Sequence, residues 1–291
     1  MKKIIGMLIT VMLLTGLSVS AEEFFAESEF DSILGTITDI SENSYIIRDI
    51  SGEEYRLNKD EESEILSDEL MPVEETQIKP GLFARAVCKK MMTKSIPPQI
   101  YLDMLVVSDD MEKLPLYSEA AYIQTDADGN LQIETKTPVY VFTITDNTEI
   151  KPLKTRNILT KNDFSEGDRL FVYTKSIMLS EPAQAVPSKI VMIENKLHEI
   201  HKDGLAEAET NVEYLTREKF AVAVYDALYK RGLVSQTTEK TFFDDISDNR
   251  INVLAEAGIV LGTGNRRFMP DLPITKEETS LILTRIVKKV E

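Results

Sequence analysis

The sequence predicts a multidomain α+β chain: two tandem small antiparallel β-barrel units followed by a small α-helical module. Three observations carry this. Short apolar-alternating runs separated by turn residues fill the region from Asp31 to Glu194. The second half of that region repeats the plan of the first. After Asn211 the pattern changes to helix caps and helical periodicity. The expected divisions are residues 1–21, 31–108, 117–194, 195–212 and 213–291.

The chain begins with Lys2 and Lys3, an apolar run from Ile4 to Val19, and small residues ending at Ala21 before Glu22-Glu23. That is the pattern of a secretory signal peptide cleaved after Ala21. A membrane anchor is the alternative, but the run is shorter than the roughly 20 residues that span a bilayer, and Gly16 and Ser18 interrupt it. No cysteine stands near Ala21 for lipidation, and no later segment reads as a transmembrane anchor. The expectation is an exported protein at the cell wall or cell surface.

The β region starts with Ile33–Ile40, then Tyr45–Ile50, the turn Ser51-Gly52, and the return strand Glu54–Leu57. Lys79-Pro80-Gly81 introduces Leu82–Cys88, and Gln99–Val107 closes the first unit. In the second, Ala121–Thr125 and Leu131–Glu134 flank the turn Asp126-Ala127-Asp128-Gly129-Asn130, and Val139–Thr145 follows. Ser165-Glu166-Gly167-Asp168 introduces Arg169–Lys175, and Ser188–Ile193 closes the unit. KPGLFARAVCKKMMTKSIPPQIYLDMLVV and SEGDRLFVYTKSIMLSEPAQAVPSKIVMI set side by side, with a glycine, a long strand, a proline loop and an apolar strand in the same order. The repeat implies duplication of one β domain. About five short strands suit a closed barrel of the oligonucleotide/oligosaccharide-binding (OB) type, and a five-stranded sandwich also accommodates them.

Asn195 to Asn211 is polar and reads as a linker or short helix. Thr216 caps a helix running to Arg231, with Phe220, Val224, Ala227 and Leu228 on one face and Gly232 ending it. Asn249 is placed as the cap of Arg250–Ala257, which Gly258 terminates. Thr275 with Glu278 three residues on is a capping box, and Leu281, Ile282 and Ile286 form the apolar side of the last helix. Three short helices bury little on their own and need further support.

Chemistry is unmarked. The formal charge is −16, and two units more negative without Lys2 and Lys3. Such a surface repels phosphate backbones, so nucleic acid is not an expected partner, and wall binding must come from a local pocket rather than overall charge. Cys88, the single cysteine, lies in an apolar alternation and reads as a buried small hydrophobe. His198 and His201 are one residue short of a His-Glu-x-x-His zinc spacing. The Asp126 turn begins like a calcium loop, but its twelfth position is Thr137 where a bidentate Glu is required. The acidic run Asp60–Glu64 reads as a solvated loop or helix face. Tyr45, Tyr55, Tyr101, Tyr140 and Tyr173 serve equally as core residues or as a ligand face. No nucleotide or nucleophile motif appears, so the expectation is a non-enzyme with no cofactor and no metal.

The end of the chain, FDDISDNRINVLAEAGIVLGTGNRRFMPDLPITKEETSLILTRIVKKV, resembles one S-layer homology (SLH) motif. The residues that carry it are Phe243, Asp245, Gly258, Gly262, Gly264, Phe268, Pro270 and Thr275-Lys276-Glu277-Glu278. Leu215-Thr216-Arg217-Glu218-Lys219-Phe220 resembles the second half of a preceding copy. The resemblance implies a module that holds bacterial surface proteins on secondary cell-wall polysaccharide or peptidoglycan. It implies that Thr216, Arg217, Gly262, Gly264, Thr275, Lys276 and Glu278 form the polysaccharide site, with an arginine meeting a carboxylate-bearing sugar. Two positions depart from the family: Lys219 stands where it has a glutamate, and Lys276 where it has the arginine. About one and a half motifs are present where three commonly make a binding module, and the family's Trp-Ala is missing. The same residues also have a purely structural use, as turn, packing and cap. The expected function is therefore wall association with the β units as spacer or interaction domains. A secreted protein that binds a glycan or protein through its tandem β units is the alternative, and a wall-processing enzyme or its regulator is a third.

Overall fold

The computed structural model describes residues 29–194 and 215–290. The expected signal sequence with Ala21, the expected linker, and His198 and His201 lie outside the described residues. Among the described residues the chain is mostly β, with three α-helices, the last near its end. It divides into two compact units. One holds Ala26–Glu149 and Arg169–Val191; the other holds Ile150–Asp168 and the chain from Met192 onward. Residues 150–168, read from the sequence as part of the second β domain, are thus grouped with the helices.

The first sheet contains β1 (Phe30–Ser41), β2 (Ser44–Asp49), β3 (Glu54–Asn58), β4 (Glu64–Ser67), β5 (Phe83–Met92) and β6 (Gln99–Ser108), in the order β3-β2-β1-β5-β6-β4. The second contains β7 (Leu116–Thr125), β8 (Leu131–Thr135), β9 (Tyr140–Ile144), β10 (Glu149–Pro152), β11 (Arg169–Tyr173), β12 (Ala183–Ala185) and β13 (Lys189–Glu194), in the order β10-β13-β11-β7-β8-β9-β12. With β12 and β13 counted as one strand interrupted at residues 186–188, the two orders are the same. Pro187 lies in that interruption, where a residue without an N–H cannot continue a ladder.

Each sheet also carries a three-residue parallel pairing, or seam. Arg56–Asn58 of β3 face Gln99–Tyr101 of β6, and Tyr140–Phe142 of β9 face Ala183–Ala185 of β12. The expectation of closed barrels is corrected here. These are two mostly antiparallel sheets with three-residue seams, because β3 and β9 are five-residue strands and β12 has only three residues to offer. The missed strands β4, β10 and β12 are only three or four residues long, too short for periodicity to reveal them.

Alternation explains the core. Ile37, Tyr45, Ile47, Leu57, Ala84, Ala86, Cys88, Ile100, Leu102 and Leu105 are buried together on the inner side of the first sheet. Cys88 is among them, and burial pushes its thiol up to about 12, far from a nucleophile. Within the β unit, Arg169 is 6 % exposed, pairs with Asp103, donates from Nε to Tyr117 Oη at 3.1 Å, and lies 3.7 Å over the Phe30 ring. Tyr173 Oη donates to Asp68 O at 2.6 Å. The contacts of Arg169 with Asp103 and Phe30, and of Tyr173 with Asp68, join the second β repeat to the first. The Asp126 turn is a hairpin loop: its carboxylate accepts from Asp128 N at 2.9 Å and Asn130 N at 2.8 Å.

Gly35 is required by close approach. It sits in β1 opposite Asp49, and a Cβ there would lie 2.2 Å from Arg48 O. Gly35→Ala should therefore destabilise the β unit by about 1–3 kcal/mol, the usual scale for forcing extra volume into packed structure. A urea midpoint lower than that of the wild-type chain checks this; an unchanged midpoint would refute it.

Candidate functional site

The helical unit contains α1 (Arg217–Tyr229), α2 (Asn249–Glu256) and α3 (Lys276–Val290). Its core gathers Phe220, Val224, Leu228, Phe243, Ile251, Leu254, Ile259, Phe268, Ile282 and Ile286. The apolar faces read from the sequence supply Phe220, Val224, Leu228, Ile282 and Ile286 of it. Thr216 caps α1, its Oγ1 accepting from Lys219 N at 3.3 Å. The cap of α2 is Asp248 rather than Asn249, its carboxylate accepting from Arg250 N at 3.0 Å. Both bonds of the capping box at α3 are made: Glu278 N donates to Thr275 Oγ1 at 3.2 Å, and Thr275 N to Glu278 Oε2 at 3.3 Å.

Between α2 and α3 the chain makes a tight loop organised by one carboxylate. Asp245 accepts from Phe268 N at 2.8 Å and Met269 N at 2.9 Å. Gly262 has φ +71°, and a Cβ on it would fall 2.5 Å from Arg267 O and 2.6 Å from the Phe243 ring. Only glycine satisfies both the left-handed backbone and that contact. Phe243 and Phe268 pack with ring centroids 5.5 Å apart. Residues 268–274 then run against the start of α1, where Arg217 N donates to Leu272 O at 2.9 Å and Glu218 N to Pro270 O at 3.0 Å.

Arg217 and Glu278 meet at the heads of α1 and α3. Their side chains are 1 % and 0 % exposed, with Nη1 2.9 Å from Oε2. That contact is off the N–H axis and acts as an ion pair rather than a directed hydrogen bond. Arg217 Nε donates to Phe268 O at 2.8 Å, and Nη2 to Asn157 Oδ1 at 3.3 Å. The guanidinium lies 4.9 Å from the Phe268 ring centroid, which adds a cation–π contact. Burial lowers its pKa and Glu278 works against that lowering, yet an arginine remains charged throughout.

A second guanidinium approaches from residues 150–168. Arg156 donates from Nε to Glu278 Oε1 at 3.1 Å and from Nη2 to Pro273 O at 3.2 Å, and its side chain is 42 % exposed. Ile158 N donates to Gly262 O at 3.2 Å. Seven residues along each strand of this contact, Arg285 makes a bidentate pair with Asp163 at 2.7 and 3.0 Å, and also donates to Ile158 O at 2.7 Å. The segment reads Arg then Asp where the helix reads Glu then Arg, so reciprocal charges fix its register on α3.

Of the residues implied by the resemblance, Thr216, Arg217, Thr275 and Glu278 come together, and Gly262 joins them through Ile158. Gly264 has φ +102° in the same loop, and Lys276 is exposed at the first position of α3. Arg156, Asn157 and Asp163 were not singled out by the sequence. Their one local sign is that Thr155-Arg156 repeats the threonine–cation pair of Thr216-Arg217 and Thr275-Lys276. Of the strand tyrosines, Tyr45 is in the core and Tyr101 is 53 % exposed. Among the described residues no group of three His, Cys, Asp or Glu side chains is placed to hold a metal ion. No helix among them is long and apolar enough to cross a membrane.

Residues 244–280 match the family model described as the S-layer homology domain. The chain carries an S-layer homology domain. An S-layer homology domain indicates a cell-surface, cell-wall-associated protein. Its matched span covers the Asp245 loop, α2, the Gly262 turn and the head of α3, and it stops short of Arg285. No curated protein matches the chain. Among solved structures, one titled "drosophila Unr CSD456" aligns at 10 % identity and TM-score 0.18, covering 58 % of this chain. The chain spans 63 % of that structure's length. A multidomain protein with nucleic acid binding domains from Streptococcus pneumoniae TIGR4 aligns at 11 % identity and TM-score 0.14, over 89 % of this chain and 93 % of that one. Neither likeness bears on what this chain binds.

Removing one partner from a buried ion pair leaves an uncompensated charge, at a cost of about 3–5 kcal/mol. Glu278→Gln should lower the stability of the helical unit by that amount, whereas Lys240→Ala, which breaks the exposed pair with Glu256, should change it by under about 0.5 kcal/mol. Thermal unfolding of the two variants checks this; equal melting points would refute it. Asp245 generates a pH prediction. Burial pushes its carboxyl up, but the N–H groups of Phe268 and Met269 outweigh that and hold it below its ordinary 3.8. A lowered folded-state value contributes stability above the unfolded value, lost as pH falls through the folded one. Acid titration of the unfolding midpoint should show a loss beginning below about pH 4 that Asp245→Asn reduces. An unchanged acid limb in that variant would contradict the assignment.

Proposed function

We propose that the chain is an exported, non-enzymatic surface protein whose C-terminal module associates with secondary cell-wall polysaccharide or peptidoglycan. In this reading the two β repeats, residues 31–108 and 117–194, act as spacer or interaction domains. The observation that carries it is the S-layer homology match at residues 244–280. The buried geometry of Arg217 refines the site. It donates to Phe268 and Asn157 and is ion-paired with Glu278, so Arg217 and Glu278 act as the frame of a wall site rather than as its sugar-facing surface. Thr216, Thr275 and the Gly262–Gly264 turn set the backbone around that frame, and exposed Lys276 is the member of the set that faces solvent. The basic start of the chain supports export, and the acidic overall charge favours a local contact over bulk attraction to an anionic wall.

The test is co-sedimentation of the protein with purified sacculi. The wild type should pellet with them. Lys276→Ala should lower the bound fraction several-fold, as loss of one charged contact does, with cooperative thermal unfolding retained. Wild-type protein that stays in the supernatant would remove the wall-binding claim. Binding that persists after deletion of residues 196–291 would move it to the β repeats.

A further inference from the structure

The two β repeats end their long central strands in the same turn. In the first, Thr93 N donates to Gln99 O at 3.0 Å, and Ser95 Oγ donates to Pro97 O at 2.8 Å. In the second, Met178 N donates to Gln184 O at 2.7 Å, and Ser180 Oγ donates to Pro182 O at 2.7 Å. Gln99 and Gln184 also hold equivalent seam positions, opposite Arg56 and Val141. This superposes residues 93–99 on 178–184 one for one, so Lys94 corresponds to Leu179 and Ile96 to Glu181.

Each ordered tip holds an apolar side chain fully in water. Ile96 is 99 % exposed and Leu179 98 %. Met91 and Met92 beside the first tip, and Met178 and Val186 beside the second, are exposed too. Clusters of this kind on a hydrogen-bonded loop mark an interaction site rather than scattered surface residues. The charges are reversed between the tips. The first reads cation–Ser–apolar (Lys94, Ser95, Ile96) and the second apolar–Ser–anion (Leu179, Ser180, Glu181), with Lys94 and Glu181 both exposed.

When two such turns meet antiparallel, the first apical position of one faces the last of the other. First tip on second tip sets Lys94 against Glu181 and Ile96 against Leu179. Two first tips would set each lysine against an isoleucine, and two second tips each glutamate against a leucine, leaving charges unpaired over apolar groups. An anionic bilayer suits the first tip, with Lys89, Lys90 and Lys94, but not the Glu181 apex of the second. We infer that the first β tip of one copy of this chain docks on the second β tip of another copy. The contact is heterologous, so each added copy leaves one tip of each kind open and the association propagates head to tail. Since the chain carries −16 overall, the lysine-bearing tip supplies the local attraction that copies otherwise lack.

The full chain studied by sedimentation velocity over a range of concentrations tests this. The weight-average sedimentation coefficient should rise with concentration without levelling at a dimer. Lys94→Glu alone and Glu181→Lys alone should each weaken association on the order of tenfold, the scale of a close charge pair across an interface. The combined Lys94→Glu/Glu181→Lys chain should recover it, because the pair is restored with its sign exchanged. A single species at all concentrations would overturn the inference, as would a combined variant no better than the single ones. Flotation with phosphatidylglycerol vesicles that Lys94→Glu abolishes and Glu181→Lys strengthens, without concentration-dependent sedimentation, would assign the tips to a lipid surface instead.

Discussion

The buried pair of Arg217 and Glu278 is the constraint on which the helical unit depends. Two opposite charges withdrawn from water are tolerated only when each is met by several partners. Here a backbone carbonyl, an amide oxygen, an aromatic face, a second arginine and the backbone N–H of the helix-capping threonine all serve that purpose. The partners come from three stretches of chain: Phe268, residues 156–157 and Thr275. The heads of α1 and α3, the loop after Phe268 and residues 156–158 are therefore positioned by one electrostatic requirement. The arginine that the family resemblance would offer to a ligand is used up inside the protein.

What was legible in the sequence follows from distance along the chain. The threonine caps, the glycine turns and the alternating strands β1, β2, β5 and β6 are encoded within a few residues, and their positions were read to within a few residues. The Arg156–Glu278 and Asp163–Arg285 contacts join residues 122 apart, and no local pattern distinguishes those side chains from solvated ones. Strands β4, β10 and β12 escaped for another reason. They are three or four residues long and gain their identity from a neighbour already in place rather than from their own alternation. Barrel closure fails on the same ground, since strand number and spacing carry no information about how many residues remain to form the seam.

The two β repeats show which features a duplicated sheet must keep. Strand order, the parallel seam and the Ser-x-Pro turn are common to both, although most side chains differ. Strand order and seam are fixed by backbone bonds that many sequences satisfy, and the turn by those bonds together with one serine hydroxyl. Apical side chains carry no such load and have diverged to opposite charge.

The division of the chain into units has a mechanical consequence. Residues 150–168 leave the β unit, contribute to the helical unit and return, and the chain leaves again after Val191. Among the described residues, three covalent crossings therefore connect the two bodies instead of a single linker. If the helical unit is held and the β unit is pulled, tension divides among three strands of backbone. Cutting one of them leaves two still under load, so the attachment fails gradually rather than at one bond.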